Sequence, residues 1–241
     1  MSIRAAAVVA ASLALGCATT QQTKMSAQEK ESACTFLGPS VCAELSSTPP
    51  PGRFSSAAVS SSGEPVAELR YVDTEAPWTQ YHKVLLSPIT FWGGDDTSLS
   101  PSDQQKLAEY FYQVVEKQLA TRFELVQEPG PGTLTIQCAL IDAQTATPIL
   151  RTISMVIPQA RALATLKYVA TGTYAFVGGA TAEVKILDSL SHRVLAAGVD
   201  RRMGGGALTT AAQWQLGDAE NAMNAWATQL TDRLGAWTSG T

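Results

Sequence analysis

The feature that most constrains this chain lies at its amino terminus, where an apolar run leads to a cysteine. The run from Ala5 to Leu15 is broken only by Ser12 and follows a short segment with one cationic side chain. A run of this length suits a signal peptide and falls short of the roughly 20 apolar residues that span a bilayer. The pattern predicts that residues 1–16 are a signal peptide and that the mature chain begins at Cys17.

The residues around that cysteine resemble the lipobox of bacterial lipoproteins. The segment Leu13–Cys17 (LALGC) matches it well at Gly16 and Cys17, whereas Ala14 stands where the family prefers leucine. The resemblance implies a diacylated Cys17 thiol, cleavage before it and acylation of the new amino group, with palmitate among the chains. Two or more acyl chains anchor a protein stably. Ala18, which replaces the aspartate of the retention signal, implies the outer membrane. The alternative is an ordinary signal peptide with an incidental cysteine.

Composition predicts one folded domain behind a tether. Hydrophobic residues make up 45% of the 241 residues, which is enough for a substantial core. Residues 17–65 lack an apolar period and are rich in Ser and Pro towards their end, as expected of a disordered, lipidated tether and linker. Residues 66–241 are then the periplasmic domain. The net charge of −4 argues against nucleic acid as a partner.

The four cysteines divide between the anchor, a loop and the core. Cys34 and Cys42 flank a short loop-like segment, and in an oxidising periplasm we expect them to form a disulfide worth about 2–3 kcal/mol on the chain-entropy model. A zinc site lacks further ligands nearby in the sequence. Cys138 lies on the apolar face of a predicted strand, which favours a buried hydrophobic side chain over a nucleophile.

Periodicity in the domain predicts an α/β (α+β) fold, with a single mixed, mostly antiparallel sheet covered by two helices. Residues 133–142 alternate between apolar and polar, as in a strand with one packed face. Ser100, Pro101 and Asp103 predict the start of the first helix, and Asp218 is expected to be the N-cap of a closing helix that ends near Trp237. Further strands are predicted at 69–72, 82–92, 123–127, 182–187 and 194–199.

Three connections bear on the topology. Pro88 cannot donate to a strand ladder, so the strand around it is expected at an edge or bulged. A turn at 128–132 predicts a hairpin between 123–127 and the next strand. The insert at 143–172 is largely apolar, and it either covers the sheet or contacts something else.

Several spaced motifs run through the domain. They are Leu69–Asp73, Tyr81–Trp92, Gly178–Ala180 with Glu183, Asp188, Val194–Ala196 and Asp200–Arg202. Together with Phe36 and Leu37 they resemble the uncharacterised bacterial lipoprotein family catalogued as domain of unknown function 3313. Two departures stand out: His192 occupies a turn position where the family usually has glycine, and the Cys34 to Cys42 loop replaces a stretch that usually carries a tyrosine. The family has no established activity, so the resemblance implies no catalytic residue.

The sequence contains no motif for a known reaction. Neither histidine accompanies a recognisable nucleophile, and no zinc-protease motif or phosphate loop occurs. Asp188, Asp200, Arg201 and Arg202 form the most notable polar group, which could gather at one end of the last hairpin as a partner surface. The interpretation that we favour is turn chemistry plus a structural ion pair.

These observations predict no catalytic residue, cofactor or metal site. We expect a lipid-anchored, periplasm-facing lipoprotein of the outer membrane, with a non-catalytic partner-binding or scaffold domain. Its partners would be the membrane, through Cys17, and an unknown envelope protein or glycan. Two alternatives stay open. One is a hydrolase or transferase on envelope material that uses Asp188, Asp200 or His192, and the other is an accessory subunit of a secretion or transport assembly.

Overall fold

The computed structural model describes residues 20–25, 30, 34–52, 54, 67–92, 99–144, 178–204 and 216–239. Within them, the chain forms one mixed sheet of eight strands with three helices, which confirms the predicted fold class. The signal peptide, Cys17 and most of the insert at 143–172 lie outside the described residues. The strands are β1 Thr20–Gln22, β2 Leu69–Val72, β3 Lys83–Leu86, β4 Thr90–Phe91, β5 Glu124–Leu125, β6 Thr133–Gln144, β7 Gly179–Asp188 and β8 Val194–Gly204. The helices are α1 Pro39–Ala43, α2 Pro101–Leu119 and α3 Gly217–Ser239.

Three long antiparallel strands form the middle of the sheet, in the order β6, β7, β8. β1 and β2 pair antiparallel with successive parts of β8, while β3 and β4 pair parallel with successive parts of β6, and β5 lies parallel beyond β3. Between β3 and β4 the pairing shifts from Leu86 opposite Ile136 to Thr90 opposite Ala139. One extra residue therefore bulges beside Pro88, as predicted.

The predicted hairpin between residues 123–127 and 133–142 is wrong. β3 lies between β5 and β6, and all three strands run parallel. The reason lies in the turn before β6, where the Gly132 carbonyl accepts backbone N–H bonds from His82 at 3.1 Å and Lys83 at 3.2 Å. β5 has only two residues. The loop that follows it therefore has only a short distance to cover before the chain reaches the start of β6.

The two long helices pack on one face of the sheet. Ser100 caps α2 as predicted, because its side chain accepts the Asp103 N–H at 3.2 Å and donates to the Asp103 carboxylate at 2.8 Å. Asp218 is not the N-cap of α3. It lies inside the first turn, fully buried, and its carboxylate accepts the Gly178 N–H at 2.8 Å. The buried residues of this face include Leu107, Phe111, Val115, Leu134, Ile136, Leu140, Met223, Leu234 and Trp237.

The opposite face of the sheet is covered by residues that the sequence assigns to the tether and linker. Leu37 and Met25 are buried there against Ala197 and Val199 of β8. Cys34 and Cys42 form the predicted disulfide, with their Cα atoms 5.8 Å apart, around the segment that includes Leu37. The domain thus has a second, smaller apolar layer beneath the disulfide loop.

Candidate functional site

The structure separates the residues that were expected to form one polar group. Asp188 ends β7 at the hairpin turn, whereas Asp200 and Arg202 lie near the far end of β8, where Asp200 is opposite Ala182. Ala182 and Asp188 are six positions apart on β7. At about 3.4 Å per residue, this puts roughly 20 Å between the carboxylates of Asp188 and Asp200. Asp188 therefore does not join the Asp200 group. Because successive side chains of a strand point to opposite faces, the Arg201 side chain lies on the other face of the sheet from Asp200.

Asp200 is the centre of a buried hydrogen-bond network. Its carboxylate accepts bonds from the Trp226 indole at 2.8 Å, the Arg202 guanidinium at 3.2 Å and the Glu68 backbone N–H at 3.2 Å. A fourth donor is the Gln22 side-chain amide. Burial raises the pKa of Asp200 to about 6, against the opposing effect of Arg202. The network joins β1, β8 and α3, which supports the structural interpretation of this group.

Asp188 organises the turn between β7 and β8. One carboxylate oxygen accepts the backbone N–H of Ser191 at 2.7 Å and of Leu190 at 3.2 Å, and the other accepts the Tyr81 hydroxyl at 2.9 Å. The bond from the Ser191 N–H is the main reason that the pKa of Asp188 is lowered. His192 in this turn has φ 56°, the left-handed conformation that favours glycine.

A cavity of about 100 Å³ lies between the sheet and α3. Its polar lining includes Arg70 of β2, Asp200 of β8, and Gln229 and Arg233 of α3. The rest is mostly apolar and comes from both long helices and from strands β2, β6, β7 and β8. These apolar residues include Phe111, Val115, Cys138, Ala182, Ile186, Trp226 and Trp237.

Two buried arginines, Arg70 and Arg233, line this cavity. Arg70 is 8% exposed and donates to the carbonyls of Ala67 at 2.7 Å and Ser47 at 3.0 Å, while its Nε has no acceptor in the described part of the chain. Arg233 is 7% exposed, and its Nε and Nη2 have no acceptor among the described residues. Burial, followed by the charge of Arg70, lowers the pKa of Arg233 to about 10. The guanidinium carbon of Arg233 is 6.0 Å from the Trp237 ring centre.

A second buried acid lies beneath the disulfide loop. Glu183 is 1% exposed, and its Oε2 accepts the Leu37 N–H at 3.1 Å, while its Oε1 has no partner among the described residues. Burial raises the pKa of Glu183 to about 7. Lys185 on the same strand face donates to the Phe36 carbonyl at 3.0 Å and lies 4.4 Å from the centre of its ring. This face therefore binds the disulfide loop through both a carboxyl and an ammonium group.

Sequence reasoning missed Arg70, Arg233 and Glu183. Arg233 had a visible signal, because it follows Trp226 by seven positions and so repeats on the apolar face of α3. Glu183 had only its place among the spaced motifs. The residue types at Arg233 and Glu183 do not predict burial, since arginine and glutamate are usually exposed. Among the described residues no cluster of three or more potential metal ligands occurs, and no described helix is long and apolar enough to cross a membrane.

The pairing of β1 places Thr20 at one end of the sheet. Thr20 lies opposite Gly204, at the last position of β8. Gln144 and Gly179 are paired at the same end, and the start of α3 contacts it through Asp218 and Gly178. The turn at Asp188 lies at the other end, about 33 Å away along β8.

Comparisons with known proteins identify a family without a known activity. A family model described as "Protein of unknown function (DUF3313)" matches residues 56–230. No curated protein matches the sequence. Solved structures similar to this one include a PelC dodecamer from Paraburkholderia phytofirmans, at 6% identity over 66% of this chain and 95% of that chain, with TM-score 0.36. Another is XCC0632 from Xanthomonas campestris, a DUF330 protein, at 13% identity over 71% of this chain and 96% of that chain, with TM-score 0.34. Similarity at this level does not identify a function.

Proposed function

The chain belongs to the DUF3313 family, whose function is unknown, and from this premise we propose that it is a lipid-anchored lipoprotein of the bacterial outer membrane. In this proposal Cys17 carries the lipid and the domain faces the periplasm, where it binds an envelope protein or glycan without catalysing a reaction. The observation that carries it is the short distance in sequence between the lipobox cysteine and the first strand of the domain.

That distance fixes the orientation of an anchored domain. Cys17 precedes Thr20, the first residue of β1, by three positions, so their Cα atoms are at most about 11 Å apart. A lipid on Cys17 would therefore hold the end of the sheet that carries Thr20 and Gly204 against the headgroups.

The sequence of the insert agrees with a membrane on that side. The chain leaves β6 at Gln144 and enters β7 at Gly179, both at the anchored end. Residues 145–177 carry Arg151, Arg161 and Lys167 and no acidic residue. Basic residues near an anionic lipid surface each contribute about 1 kcal/mol of attraction. Of the two predicted roles of the insert, these basic residues favour contact with something other than the sheet.

The opposite end of the sheet would be presented to the periplasm. The turn there is rigid, because Asp188 accepts bonds from Leu190 and Ser191, and Leu190 is 58% exposed. A rigid turn with an exposed apolar side chain suits recognition of a partner better than a mobile loop does. In this proposal Asp188 belongs to the partner surface, while Asp200 and Arg202 are buried.

The geometry of Asp188 and Asp200 does not support a catalytic role for either residue. Asp200 already accepts from four donors, so its carboxylate has no free position for a substrate proton. Asp188 is likewise occupied by its own turn and by Tyr81. We therefore favour binding over hydrolysis or group transfer.

Membrane fractionation combined with site-specific crosslinking tests this proposal. The wild-type chain should fractionate with the outer membrane, and the Cys17→Ser chain should be released or retained unprocessed. A photocrosslinker at Leu190 should capture one defined protein or glycan in whole cells, and one at Glu124, an exposed residue on the far edge strand, should not. Identical fractionation of both chains would refute the anchor, and identical crosslinks from both positions would refute the partner surface.

A further inference from the structure

The cavity between the sheet and α3 has the features of a binding site, and it is separate from both the anchor and the exposed turn. It contains about 100 Å³ and its walls are mostly aromatic and aliphatic side chains. An apolar cavity of about 150 Å³ accommodates benzene. The space inside this one therefore suits a group of a few carbon atoms.

Three of the side chains that line this space carry buried donors without an acceptor in the part of the chain that the structure describes. The Nε of Arg70, the Nε and Nη2 of Arg233 and the indole Nε1 of Trp237 are buried and have no hydrogen-bond acceptor among the described residues. Leaving a buried donor without an acceptor is costly, and more so when the donor is charged. Four donor nitrogens on three side chains of one cavity, without an acceptor among the described residues, indicate an acceptor that binds there.

The acids near the cavity do not supply that acceptor. Asp200 is committed to its own four donors. Glu183 also lines the cavity, but its Oε2 accepts the Leu37 N–H on the opposite face of the sheet. The charge that acts most strongly on Arg233 is that of another cation, Arg70. A negatively charged ligand would therefore balance charge as well as complete hydrogen bonds.

The chemistry of the walls narrows the ligand class. A guanidinium group is a planar fork that matches a carboxylate with two parallel bonds. Apolar walls formed by Phe111, Val115 and Ile186 would remain uncovered beside a bare inorganic anion, and they match a short hydrocarbon group. From the orphaned donors and these walls we propose that the cavity binds a small organic monocarboxylate, with its carboxylate at Arg70 and Arg233 and its apolar tail towards α2.

Tryptophan fluorescence provides a direct readout, since Trp226 and Trp237 line the cavity. We would titrate the full chain in detergent with sodium butyrate and in parallel with butyramide, sodium chloride and sodium phosphate. Butyrate should give a saturable fluorescence change and raise the melting temperature, because a ligand that binds only the folded state stabilises it. No saturable response to butyrate, or an equal response to phosphate or chloride, would overturn the proposal.

Two variants and a control connect the response to the cavity. Arg233→Met removes an unpaired buried charge, so it should keep or raise the melting temperature of the free protein while weakening butyrate binding about tenfold or more. Ala182→Val keeps both arginines and fills part of the cavity, and it should weaken binding as well. Arg122→Met changes an arginine that pairs with Asp232 at the surface and should leave binding unchanged. Wild-type affinity in both cavity variants would contradict the inferred site.

Discussion

The indole Nε1 of Trp226 on α3 donates a hydrogen bond of 2.8 Å to the Oδ2 of Asp200 on β8. This bond links the closing helix to the same carboxylate that accepts from Gln22 of β1 and Arg202 of β8. β1 begins three positions after Cys17. The network around Asp200 therefore connects β8 and α3 to the part of the domain that lies nearest to a lipid on Cys17, if Cys17 carries one.

Replacing Asp200 with asparagine should therefore destabilise the fold. An asparagine amide would direct its own N–H groups at donors that now bind a carboxylate, and Arg202 would lose its ion pair with Asp200. A buried donor left without an acceptor typically costs about 1–3 kcal/mol, and we expect a loss of that order in chemical denaturation. Asp232→Asn is the matched control, since its pair with Arg122 is exposed and should contribute at most about 1 kcal/mol. Equal losses in the two variants would contradict this role of Asp200.

Stability should fall as the pH rises from about 4 to about 7. The pKa of Glu183 is raised from 4.5 to about 7 in the folded protein, so between these values the folded state binds more protons than the unfolded state. The free energy of unfolding is then highest below about pH 4.5 for this group and declines up to about pH 7. Asp200, with a pKa raised from 3.8 to about 6, changes stability in the same direction.

Glu183→Gln should reduce that decline. A neutral amide keeps the acceptor for the Leu37 N–H but has no charged form to bury, so the variant should gain on the order of 2 kcal/mol over the wild type at pH 8 and little at pH 4.5. Denaturation curves at both pH values measure this difference. Glu124→Gln, at an exposed position, should leave the pH profile unchanged, and a wild-type profile in Glu183→Gln would rule out the assigned cause.

The cysteines should show three distinct states of reactivity. In a Cys17→Ser chain, the folded protein should expose no reactive thiol, because burial raises the pKa of Cys138 to about 12. Unfolding without reductant should reveal one thiol, and unfolding after reduction should reveal three, as Cys34 and Cys42 separate. Thiol titration counts these groups, and three thiols before reduction would exclude the disulfide.

Gly204 should not tolerate a side chain. A Cβ at this position would lie 2.4 Å from the carboxyl carbon of Asp218, which is fully buried and bound to Gly178. Gly204→Ala should thus cost about 1–3 kcal/mol, as overpacking usually does. At Gly130 the nearest atom would be 3.9 Å away, so Gly130→Ala should cost much less. A comparison of their thermal denaturation decides whether close packing at the end of the sheet that carries Gly204 contributes to stability.

Local signals in the sequence predicted local structure well. Ser100 and Asp103 cap α2 because their bonds span three positions, and the alternation at 133–142 became the buried centre of the sheet. The bulge at Pro88 likewise depends only on a missing N–H. Each of these features is determined by neighbours in the chain, which the sequence displays directly.

The failures all involve partners distant in sequence. Two short apolar runs around a Gly-Pro turn suggest a hairpin between 123–127 and 133–142. In the structure, the Gly132 carbonyl accepts the backbone N–H groups of His82 and Lys83, and β3 lies between these two strands. Asp218 was expected to cap its own helix and binds Gly178 instead. Arg233 gives no sign in the sequence that its guanidinium lacks acceptors, because that follows from the packing of α3 on the sheet.

The central claim, that Cys17 carries the lipid that holds this domain at the membrane, is tested most directly by mass spectrometry of the amino-terminal peptide. The protein should be purified from the outer-membrane fraction of cells that express the full chain. We predict that its first residue is Cys17, modified by a diacylglyceryl group on sulfur and an acyl chain on the amino group. A peptide that begins elsewhere, or an unmodified Cys17, would contradict the account.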